Sequence, residues 1–344
     1  MRASRLMGPR DVRVEEVPDP RITTPESAVI DVTLTAICGA DLASYWGYVP
    51  GFEWGTIMGH EFVGIVREVG KAVKSVAPGD RVMVSSMTSC GRCWYCRHGM
   101  QPQCENRALF GFSGAYPRLD GGQAERALIP NADRDLWKLP DSVSDEAAIF
   151  VTDILSTAYR GVQRADIALG DDVAVVGCGP LGLMTIMVAG LVAGRVMALD
   201  TVPERLSAAE KLGAIPIVAD DEAVQAVKSM TASRGADVVL ECAGGAPALT
   251  TAMQLARPRG VVSVIGAHFE PDFRLDAGAM FANETTLRIS IGSPTDDREE
   301  VLRLVESGRV DPVPVISHRM KLDEAADAYR MFEAREATKI VMMP

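Results

Sequence analysis

The chain has little positive charge for its length. Its 344 residues contain 35 lysines and arginines against 46 aspartates and glutamates, which gives a formal net charge of −11. Lysine and arginine side chains form no cluster anywhere along the sequence. Nucleic acids and anionic membranes bind through basic patches, so we expect neither of them as a partner.

The sequence also lacks an apolar segment of the kind that targets or anchors a protein. Residues 1–17 have no apolar core, so we do not expect them to be a signal peptide. Residues 173–194 carry no charge and are long enough to span a bilayer. However, GCGPLG interrupts this stretch and Pro180 stands at the break, so we expect a buried strand, a tight turn and a buried helix instead.

The cysteines do not follow a disulfide pattern. The chain has seven cysteines, an odd number, and four of them lie within residues 90–104. This cluster, in a sequence without a secretory signal, favours metal ligation in a reducing compartment over disulfide bonds. We therefore expect a cytoplasmic, metal-binding protein.

The first 150 residues predict an all-β, barrel-like domain. They are rich in Val, Gly and Pro, and apolar and polar residues alternate in short runs. These runs are residues 29–37, 62–70 and 80–86. Helical periodicity first appears at residues 144–165, where Ser144 suits a helix start.

Further along the chain the apolar pattern predicts alternating strands and helices. The expected strands are residues 171–177, 195–200, 236–244 and 260–267. The expected helices are residues 180–194 and 203–213, with further helices near 296–308 and 322–334. Strict alternation of strand and helix implies a doubly wound parallel sheet.

The stretch GCGPLG predicts a dinucleotide-binding turn, because it follows a β-branched strand, opens a helix and precedes an acidic residue at the end of the next strand. Its glycines would let the backbone approach a pyrophosphate held at the helix N-terminus. The acidic residue, Asp200, would accept hydrogen bonds from ribose hydroxyls and repel a 2′-phosphate, which favours NAD over NADP. The turn and helix start comprise Gly177, Gly179, Pro180, Leu181 and Gly182.

The stretch CGRCWYCRHGMQPQC predicts a structural zinc site. Four thiolates in one loop match a closed tetrahedral site, which leaves no position for a substrate and stabilises a loop that has no core of its own. His98 lies in the same loop, but four cysteines complete the site without it. The ligands are Cys90, Cys93, Cys96 and Cys104.

Taken with these motifs, a third group of residues indicates a family. The sequence resembles the zinc-dependent medium-chain dehydrogenases/reductases, the alcohol dehydrogenase superfamily, over essentially the whole chain. Besides the two motifs above, the resemblance rests on GHEFVGIVREVG at 59–70, PGDRV at 78–82, GGQAE at 121–125 and TKIVM at 338–342. DILSTAYRG at 153–161 resembles the bacterial formaldehyde/sorbitol/threonine-dehydrogenase-like branch, which has Asp where other branches have a Cys ligand.

The resemblance implies a GroES-like β-barrel catalytic domain and a Rossmann domain. Residues 1–153 would form the first part of the catalytic domain, with a zinc lobe at 88–106. Residues 154–290 would form the NAD-binding Rossmann domain, and residues 291–344 would return to the catalytic domain. The resemblance also implies two Zn²⁺ per chain, NAD and a small-molecule substrate, and we expect a homo-tetramer or a homo-dimer.

The resemblance also assigns roles to residues around a catalytic zinc. Cys38, His60 and Asp153 would be its ligands, which leaves one position open. Glu61 would lie beside the metal as a candidate transient ligand, and Asp41 would orient the ligand histidine.

The remaining implied contacts are with the cofactor. Thr157 would pack on the nicotinamide ring, Arg205 would flank the adenosine ribose and Lys339 would reach the pyrophosphate. For Arg205 and Lys339 the alternative is a solvated surface charge.

The implied activity is hydride transfer between a nicotinamide cofactor and an alcohol or carbonyl, with zinc as the Lewis acid. Ala40 and Ala43, however, stand where the family commonly has a hydroxyl and a histidine that pass the alcohol proton to solvent. Water could replace this relay, or another group among Ser44, Tyr45 and Glu61 could do so. Alternatively, the reaction reduces an activated C=C or C=N bond. A non-catalytic cofactor-binding homologue is a lesser alternative, which the retained zinc ligands disfavour.

Aromatic residues concentrate between two of the implied zinc ligands. If some of them line the substrate site, the substrate is apolar or aromatic. The alternative is that they pack the barrel edge or a subunit contact. They are Tyr45, Trp46, Tyr48, Phe52 and Trp54, and Phe110 and Phe112 could join them.

Overall fold

The computed structural model describes residues 1–269 and 272–344. Within them the strands, in chain order β1 to β18, are Arg2–Gly8, Asp11–Glu16, Ala28–Ala36, Thr56–Ile57, Glu61–Val69, Arg81–Val84, Met87–Thr88, Ala108–Leu109, Arg126–Ile129, Leu136–Lys138, Asp172–Val176, Arg195–Asp200, Ile215–Val218, Ala236–Glu241, Ala256–Val264, Thr286–Ile289, His318–Lys321 and Ile340–Met343. The α-helices of the same residues, α1 to α12, are Asp41–Tyr45, Trp94–Arg97, Ala132–Asp135, Asp145–Val151, Ile154–Arg164, Pro180–Ala189, Pro203–Lys211, Ala223–Met230, Ala246–Leu255, Ala277–Ala282, Pro294–Glu306 and Ala325–Glu333. Short 3₁₀ turns lie at Gln101–Gln103, Val313–Val315 and Leu322–Glu324.

The chain folds as two compact units. The first contains Met1–Ser156 and Ser293–Pro344, and the second contains Thr157–Gly292. The C-terminal segment belongs to the first unit because β18 pairs with β3, with Val341 opposite Ala36. This pairing brings Lys339 to the strand from which the segment 37–41 emerges.

The first unit is built mainly of antiparallel strands. Its largest sheet runs β10-β6-β5-β3-β18-β17, with β9 also paired to β3, and a smaller sheet runs β2-β1-β4. The alternating runs at 29–37 and 62–70 became β3 and β5, which pair over most of their length. Inward-facing residues such as Ile30, Phe62 and Val82 form one core cluster of this unit.

The second unit contains the predicted parallel sheet. Its strand order is β13-β12-β11-β14-β15-β16, and every neighbouring pair is parallel. This order corresponds to 3-2-1-4-5-6, the Rossmann arrangement. The predicted doubly wound fold is therefore confirmed.

Two predicted helices differ from the structure in an informative way. The stretch 144–165 forms α4 and α5, which are separated at Thr152 and Asp153. Ser144 caps the first of these helices by accepting a hydrogen bond from Ala147 N at 3.1 Å, as predicted. The helix expected over 180–194 ends at Ala189, because the chain turns at Gly190 to begin β12.

Among the described residues, none of the helices combines the length and the apolarity needed to cross a membrane.

Candidate active site and metal centres

Three buried or half-buried side chains of the first unit converge on one point. The ligand atoms of Cys38, His60 and Asp153 all lie within 4.8 Å of one another. Asp153 Oδ2 is 3.6 Å from Cys38 Sγ and 3.4 Å from His60 Nε2. The cysteine follows β3, the histidine precedes β5, and the aspartate occupies the break between α4 and α5.

The local backbone explains why the histidine is preceded by glycine. Gly59 has φ of 93°, a left-handed conformation that side chains disfavour. A Cβ atom at this position would also lie 2.5 Å from Gln123 Cγ. Gly59 therefore allows the turn that directs His60 toward the other two residues.

Asp41 holds two of these three residues. Its Oδ2 accepts a hydrogen bond from Cys38 N at 3.0 Å, and its Oδ1 lies 3.1 Å from His60 Nδ1. Asp41 is fully buried and His60 nearly so. With Nδ1 facing a carboxylate, Nε2 faces the centre of the cluster, which is the arrangement expected of an imidazole that binds a metal.

The chemistry of this cluster fits a zinc ion. Burial raises the pKa of the Cys38 thiol to about 11 in the protein alone, so a thiolate there needs a nearby cation. Burial by itself would lower the pKa of His60, but the neighbouring anionic groups, Asp41 foremost, raise it well above its usual range. A sulfur, a nitrogen and an oxygen ligand, with one position open, are a donor set of catalytic zinc sites.

Glu61 and Lys339 form a buried ion pair beside this cluster. Lys339 Nζ contacts Glu61 Oε2 and donates to the Ile37 carbonyl at 3.1 Å, and both side chains are fully buried. Among the described residues, Glu61 Oε1 has no hydrogen-bond partner. Lys339 is thus not the solvated surface charge considered from the sequence. Its observed partners are Glu61 and Ile37, and its contact with a pyrophosphate stays a prediction.

The four-cysteine lobe forms a second cluster in the first unit. The sulfurs of Cys90, Cys93, Cys96 and Cys104 all lie within 4.8 Å of one another. All seven cysteines, each within the described residues, are free of disulfide bonds.

The electrostatics of the lobe fit a closed zinc site. Cys104 Sγ accepts hydrogen bonds from the backbone amides of Cys90 and Asn106, each at 3.3 Å. Burial raises the pKa of Cys90, but the amides of Arg92 and Cys93 outweigh it and bring that pKa to about 6. Burial nevertheless keeps the pKa of Cys96 and of Cys104 above the usual thiol value, so the four thiolates of a structural zinc site would need the metal itself as counter-charge.

The predicted dinucleotide turn has the geometry that its glycines suggested. Gly177 follows β11 with φ of 91°, and α6 begins at Pro180. A Cβ atom on Gly182 would lie 1.8 Å from the Gly177 carbonyl oxygen, so the helix packs tightly on the strand. Around Gly179, by contrast, an added Cβ atom would meet only Arg205 Nη1, at 3.8 Å. This open backbone surface at a helix N-terminus suits a pyrophosphate.

Asp200 lies at the end of β12 beside this turn. Its two carboxylate oxygens accept hydrogen bonds from Cys178 N at 2.7 Å and from Val202 N at 2.9 Å. Arg205 Nη1 is 3.9 Å from Asp200 Oδ2. Asp200 therefore also organises the turn, and its contact with a ribose stays a prediction.

Thr157 lies at the start of the second unit, where it leaves no space for a side chain at Gly292.

The aromatic residues divide between core and surface. Tyr45 and Phe52 belong to a core cluster, while Tyr48 and Trp54 are exposed. Phe110 is buried edge-on to Phe62, with ring centroids 5.3 Å apart. Tyr45, Phe52 and Phe110 therefore pack in the core, as the packing alternative predicted, whereas the role of the exposed Tyr48 and Trp54 stays a prediction.

Phe112 is placed differently from the other aromatics. Its ring lies edge-on to His60, with centroids 6.3 Å apart, and it is buried.

The residues considered as substitutes for the proton relay have different surroundings. Tyr45 stacks on Tyr329 at 5.2 Å, and burial and the Glu333 carboxylate raise the pKa of its phenol. Ser44 Oγ is buried and has no hydrogen-bond partner within the described residues. Ala43 is fully buried.

Sequence reasoning missed one residue of the site, Ser86. Its Oγ lies 3.2 Å from Asp153 Oδ1. A single serine after a strand carries no motif, so only its position in the fold reveals it.

The two units and two clusters define a class, that of two-domain zinc oxidoreductases. Residues 24–141 match the family described as "Alcohol dehydrogenase GroES-like domain". Residues 180–307 match the family described as "Zinc-binding dehydrogenase". The predicted GroES-like domain is thereby confirmed together with the Rossmann domain.

Individual relatives agree with these matches. The chain is 35% identical over 359 residues to zinc-type alcohol dehydrogenase B of Aspergillus flavus, covering 99% of this chain and 81% of the relative. It is 40% identical to the alcohol dehydrogenase of Thermus sp. ATN1, with a TM-score of 0.95 and coverage of 100% and 99% of the two chains. The chain therefore belongs to the zinc-dependent medium-chain dehydrogenases/reductases, as a zinc alcohol dehydrogenase-like oxidoreductase.

Two further solved structures carry nicotinamide cofactors. One, described as a zinc-binding dehydrogenase of Sinorhizobium meliloti 1021, is bound to NADP; it is 29% identical, with a TM-score of 0.87 and coverage of 100% and 99%. The other, described as a short chain alcohol dehydrogenase of E. coli CFT073, is complexed with NADH; it is 25% identical, with a TM-score of 0.87 and coverage of 100% and 99%. Both of these structures thus hold a nicotinamide cofactor, NADP in one and NADH in the other.

Proposed function

We propose that the chain is an NAD-dependent alcohol dehydrogenase with two Zn²⁺ and an apolar or aromatic alcohol or carbonyl substrate. The observation that carries this proposal is the Cys38, His60 and Asp153 cluster, held by the buried Asp41. Three ligands with a positioned imidazole are the requirement for a catalytic metal rather than a structural one.

The residues of the chain have distinct parts in the proposed reaction. Bound at this cluster, zinc supplies a Lewis acid that polarises a substrate oxygen. Asp41 fixes the imidazole orientation of His60 and the backbone at Cys38. Lys339 neutralises Glu61, so that this buried carboxylate does not add an uncompensated negative charge beside the site. The Gly177–Gly182 turn would bind the cofactor pyrophosphate.

The preference for NAD is proposed from Asp200. Each of its oxygens accepts one backbone hydrogen bond, and a carboxylate oxygen can accept more than one. The carboxylate thus has acceptor capacity left beside the turn, which suits ribose hydroxyls, and an acidic side chain at this position opposes a 2′-phosphate.

The apolar character of the substrate is proposed from Phe112. Its ring lies edge-on to that of His60, a ligand of the candidate zinc, with centroids 6.3 Å apart. An apolar wall beside a polarising metal favours an apolar group on the reacting carbon. The alternative, reduction of an activated C=C or C=N bond, is favoured by Ala40 and Ala43, which cannot relay a proton.

We also propose that the protein is cytoplasmic and forms a homo-dimer or homo-tetramer. Seven free thiols suit a reducing compartment. Strand β16 is an edge of the parallel sheet, with Ile289 exposed on it and Ile291 and Phe281 exposed nearby. A second copy of the chain would cover such an edge. Mass measurement of the native protein in solution tests this, and a monomer at micromolar concentration contradicts it.

The proposed activity is tested by metal content and turnover together. We expect two zinc ions per chain, and NAD reduction by aromatic or aliphatic alcohols that is lost in Asp153→Ala. An exposed-site control, Asp323→Ala, should keep both the metal and the activity, because Asp323 lies outside both clusters. Zinc in the lobe alone, or reduction of activated alkenes or imines but not of carbonyls, would overturn the proposal.

A further inference from the structure

Ser86 contacts the one candidate zinc ligand that has two equivalent oxygens. Asp153 Oδ2 faces Cys38 and His60, at 3.6 and 3.4 Å, while Asp153 Oδ1 lies 3.2 Å from Ser86 Oγ. Ser86 is buried, and in this contact its hydroxyl donates to the carboxylate. The two oxygens of Asp153 thus have different partners.

The backbone around Ser86 is fixed on both sides. Ser86 N donates to the Thr152 carbonyl at 3.1 Å, and the Ser86 carbonyl accepts from Phe110 N at 3.1 Å. The neighbouring Ser85 N donates to the Asp135 carbonyl at 2.9 Å. Ser86 therefore holds the residue before the ligand through its backbone, and the ligand itself through its hydroxyl.

We propose that Ser86 is a positioning residue that restricts Asp153 to one metal-ligating oxygen. A carboxylate can bind a metal through one oxygen or through both. With Oδ1 hydrogen-bonded to Ser86, only Oδ2 is directed at the metal position. A second bound oxygen would occupy the coordination position that a substrate oxygen needs. The hydroxyl of Ser86 therefore keeps that position open, which a cysteine ligand with its single sulfur would do without help.

This inference rests on the proposed metal at the cluster, and it predicts the effect of removing one hydroxyl. In Ser86→Ala the Oδ1 atom is released, and Asp153 can bind through both oxygens. We expect the KM for the substrate to rise and kcat/KM to fall by about 10–100-fold, which is the usual effect of mutating a residue that hydrogen-bonds a metal ligand. Ser86→Thr keeps a hydroxyl and should stay close to wild type.

The decisive measurement is the visible spectrum of the Co²⁺-substituted protein, since it reports coordination number without turnover. The Cys90–Cys104 lobe contributes the same bands to every variant, so difference spectra between variants report the cluster. In Ser86→Ala we expect the d–d bands to weaken, as they do when four-coordinate cobalt gains a fifth ligand. Valine has the shape of threonine without the hydroxyl, so Ser86→Val should show the same weakening of the bands. It serves as the second hydroxyl-free variant where Ser86→Ala folds poorly.

Ser85→Ala is the matched control. Ser85 Oγ is also buried and hydrogen-bonded, to Gln101 at 3.3 Å and Thr295 at 3.1 Å, but it does not contact Asp153. The spectrum of Ser85→Ala should equal that of wild type. A wild-type spectrum in Ser86→Ala, or the same change in Ser85→Ala, would overturn the inference. Wild-type protein with cobalt in the lobe alone would overturn the proposed function and this inference together.

Discussion

Lys339 and Glu61 form an ion pair in which both side chains are buried. Their side chains retain 1% and 0% of their exposure, and Lys339 Nζ has the Ile37 carbonyl as a second partner. Burial raises the pKa of Glu61, whereas Lys339 and His60 oppose this shift. Removing one partner therefore leaves a buried charge without the group that it contacts directly.

The first prediction concerns this pair. Lys339→Met should lower the free energy of unfolding by about 3–5 kcal/mol, the usual cost of breaking a buried ion pair. Adding Glu61→Gln should recover most of the loss, because no unpaired charge remains. Urea unfolding of both variants measures this, with exposed Lys71→Met as the control. Equal losses in the single and double variants would show that packing, rather than charge, dominates.

The same variant tests the implied pyrophosphate contact of Lys339. If Lys339 also binds the cofactor, NAD affinity should fall in both Lys339→Met and the double variant. Calorimetric titration at a temperature where both variants are folded makes the comparison. Unchanged NAD affinity would restrict Lys339 to its structural partners.

The second prediction separates the two metal clusters. Cys93→Ser should lower the stability of the protein and its zinc content, because the lobe has no core of its own to replace the metal. Asp153→Ala should lose one zinc ion and the activity but remain folded. Elemental analysis and thermal unfolding of the two variants check this. A Cys93→Ser protein with wild-type stability and two zinc ions would contradict it.

The third prediction concerns cofactor preference. Asp200→Asn replaces the carboxylate by a neutral amide, which keeps one acceptor oxygen, so only one of the hydrogen bonds from Cys178 N and Val202 N is retained. NADP affinity should therefore rise relative to NAD affinity, while the lost hydrogen bond lowers the stability of the turn. The exposed Asp221→Asn removes one charge elsewhere in the same unit and should change neither affinity. Wild-type protein that binds both cofactors equally would refute the role of Asp200.

The fourth prediction concerns the missing proton relay. Ala43 is fully buried, so a histidine there would disrupt packing, whereas Ala40 is only half-buried and accepts a hydroxyl. A positioned acid–base group is worth about 10²–10⁴-fold. Ala40→Ser should therefore raise alcohol oxidation at pH 7 much more than at pH 9–10, where hydroxide substitutes for it.

Gly39→Ser is the control for this experiment, since a Cβ atom at the exposed Gly39 would meet nothing within 4 Å. It places a hydroxyl one residue away and should leave the pH profile unchanged. High wild-type oxidation at pH 7 with no gain in Ala40→Ser would mean that water or Ser44 already carries the proton.

The fifth prediction concerns Asp135, which is fully buried and accepts a hydrogen bond from the Thr88 hydroxyl. Burial raises its pKa to about 8, with Thr88 as its hydrogen-bond partner. In the unfolded chain the carboxyl ionises near pH 4, while in the folded chain it stays protonated up to about pH 8. Between these values the folded state binds the extra proton, so folding stability falls as pH rises, by at most about 1.4 kcal/mol per pH unit.

Asp135→Asn removes this dependence, so its stability relative to wild type should increase from pH 4 to pH 8. Asp133→Asn is a control of opposite sign. Although burial opposes the shift, the amides of Ser75 and Lys74 lower the pKa of Asp133, so its contribution is lost as pH falls. Chemical unfolding at several pH values tests both. A constant difference between Asp135→Asn and wild type would mean that Asp135 is ionised when folded.

Patterns that are short in sequence were predicted well from the sequence alone. The four cysteines of the lobe lie within one loop, and the glycine turn lies between a strand and the helix that follows it. In both cases the chain brings the residues together locally, so their spacing determines the geometry. The alternating apolar patterns likewise predicted β3, β5 and the parallel sheet, because side-chain periodicity reflects which face is buried.

Contacts between residues distant in sequence depended on the tertiary structure. Ser86 meets Asp153 because its backbone amide, just after β6, donates to the Thr152 carbonyl at the break between α4 and α5. Lys339 meets Glu61 because β18 pairs with β3. The sequence by itself determined the ligand types, the cofactor turn and the two kinds of sheet. Only the packing of the strands decided which aromatics are core, which oxygen of Asp153 faces the metal position and which lysine is buried. Those outcomes depend on long-range pairing and on the exclusion of water from the first unit, and no local pattern encodes either.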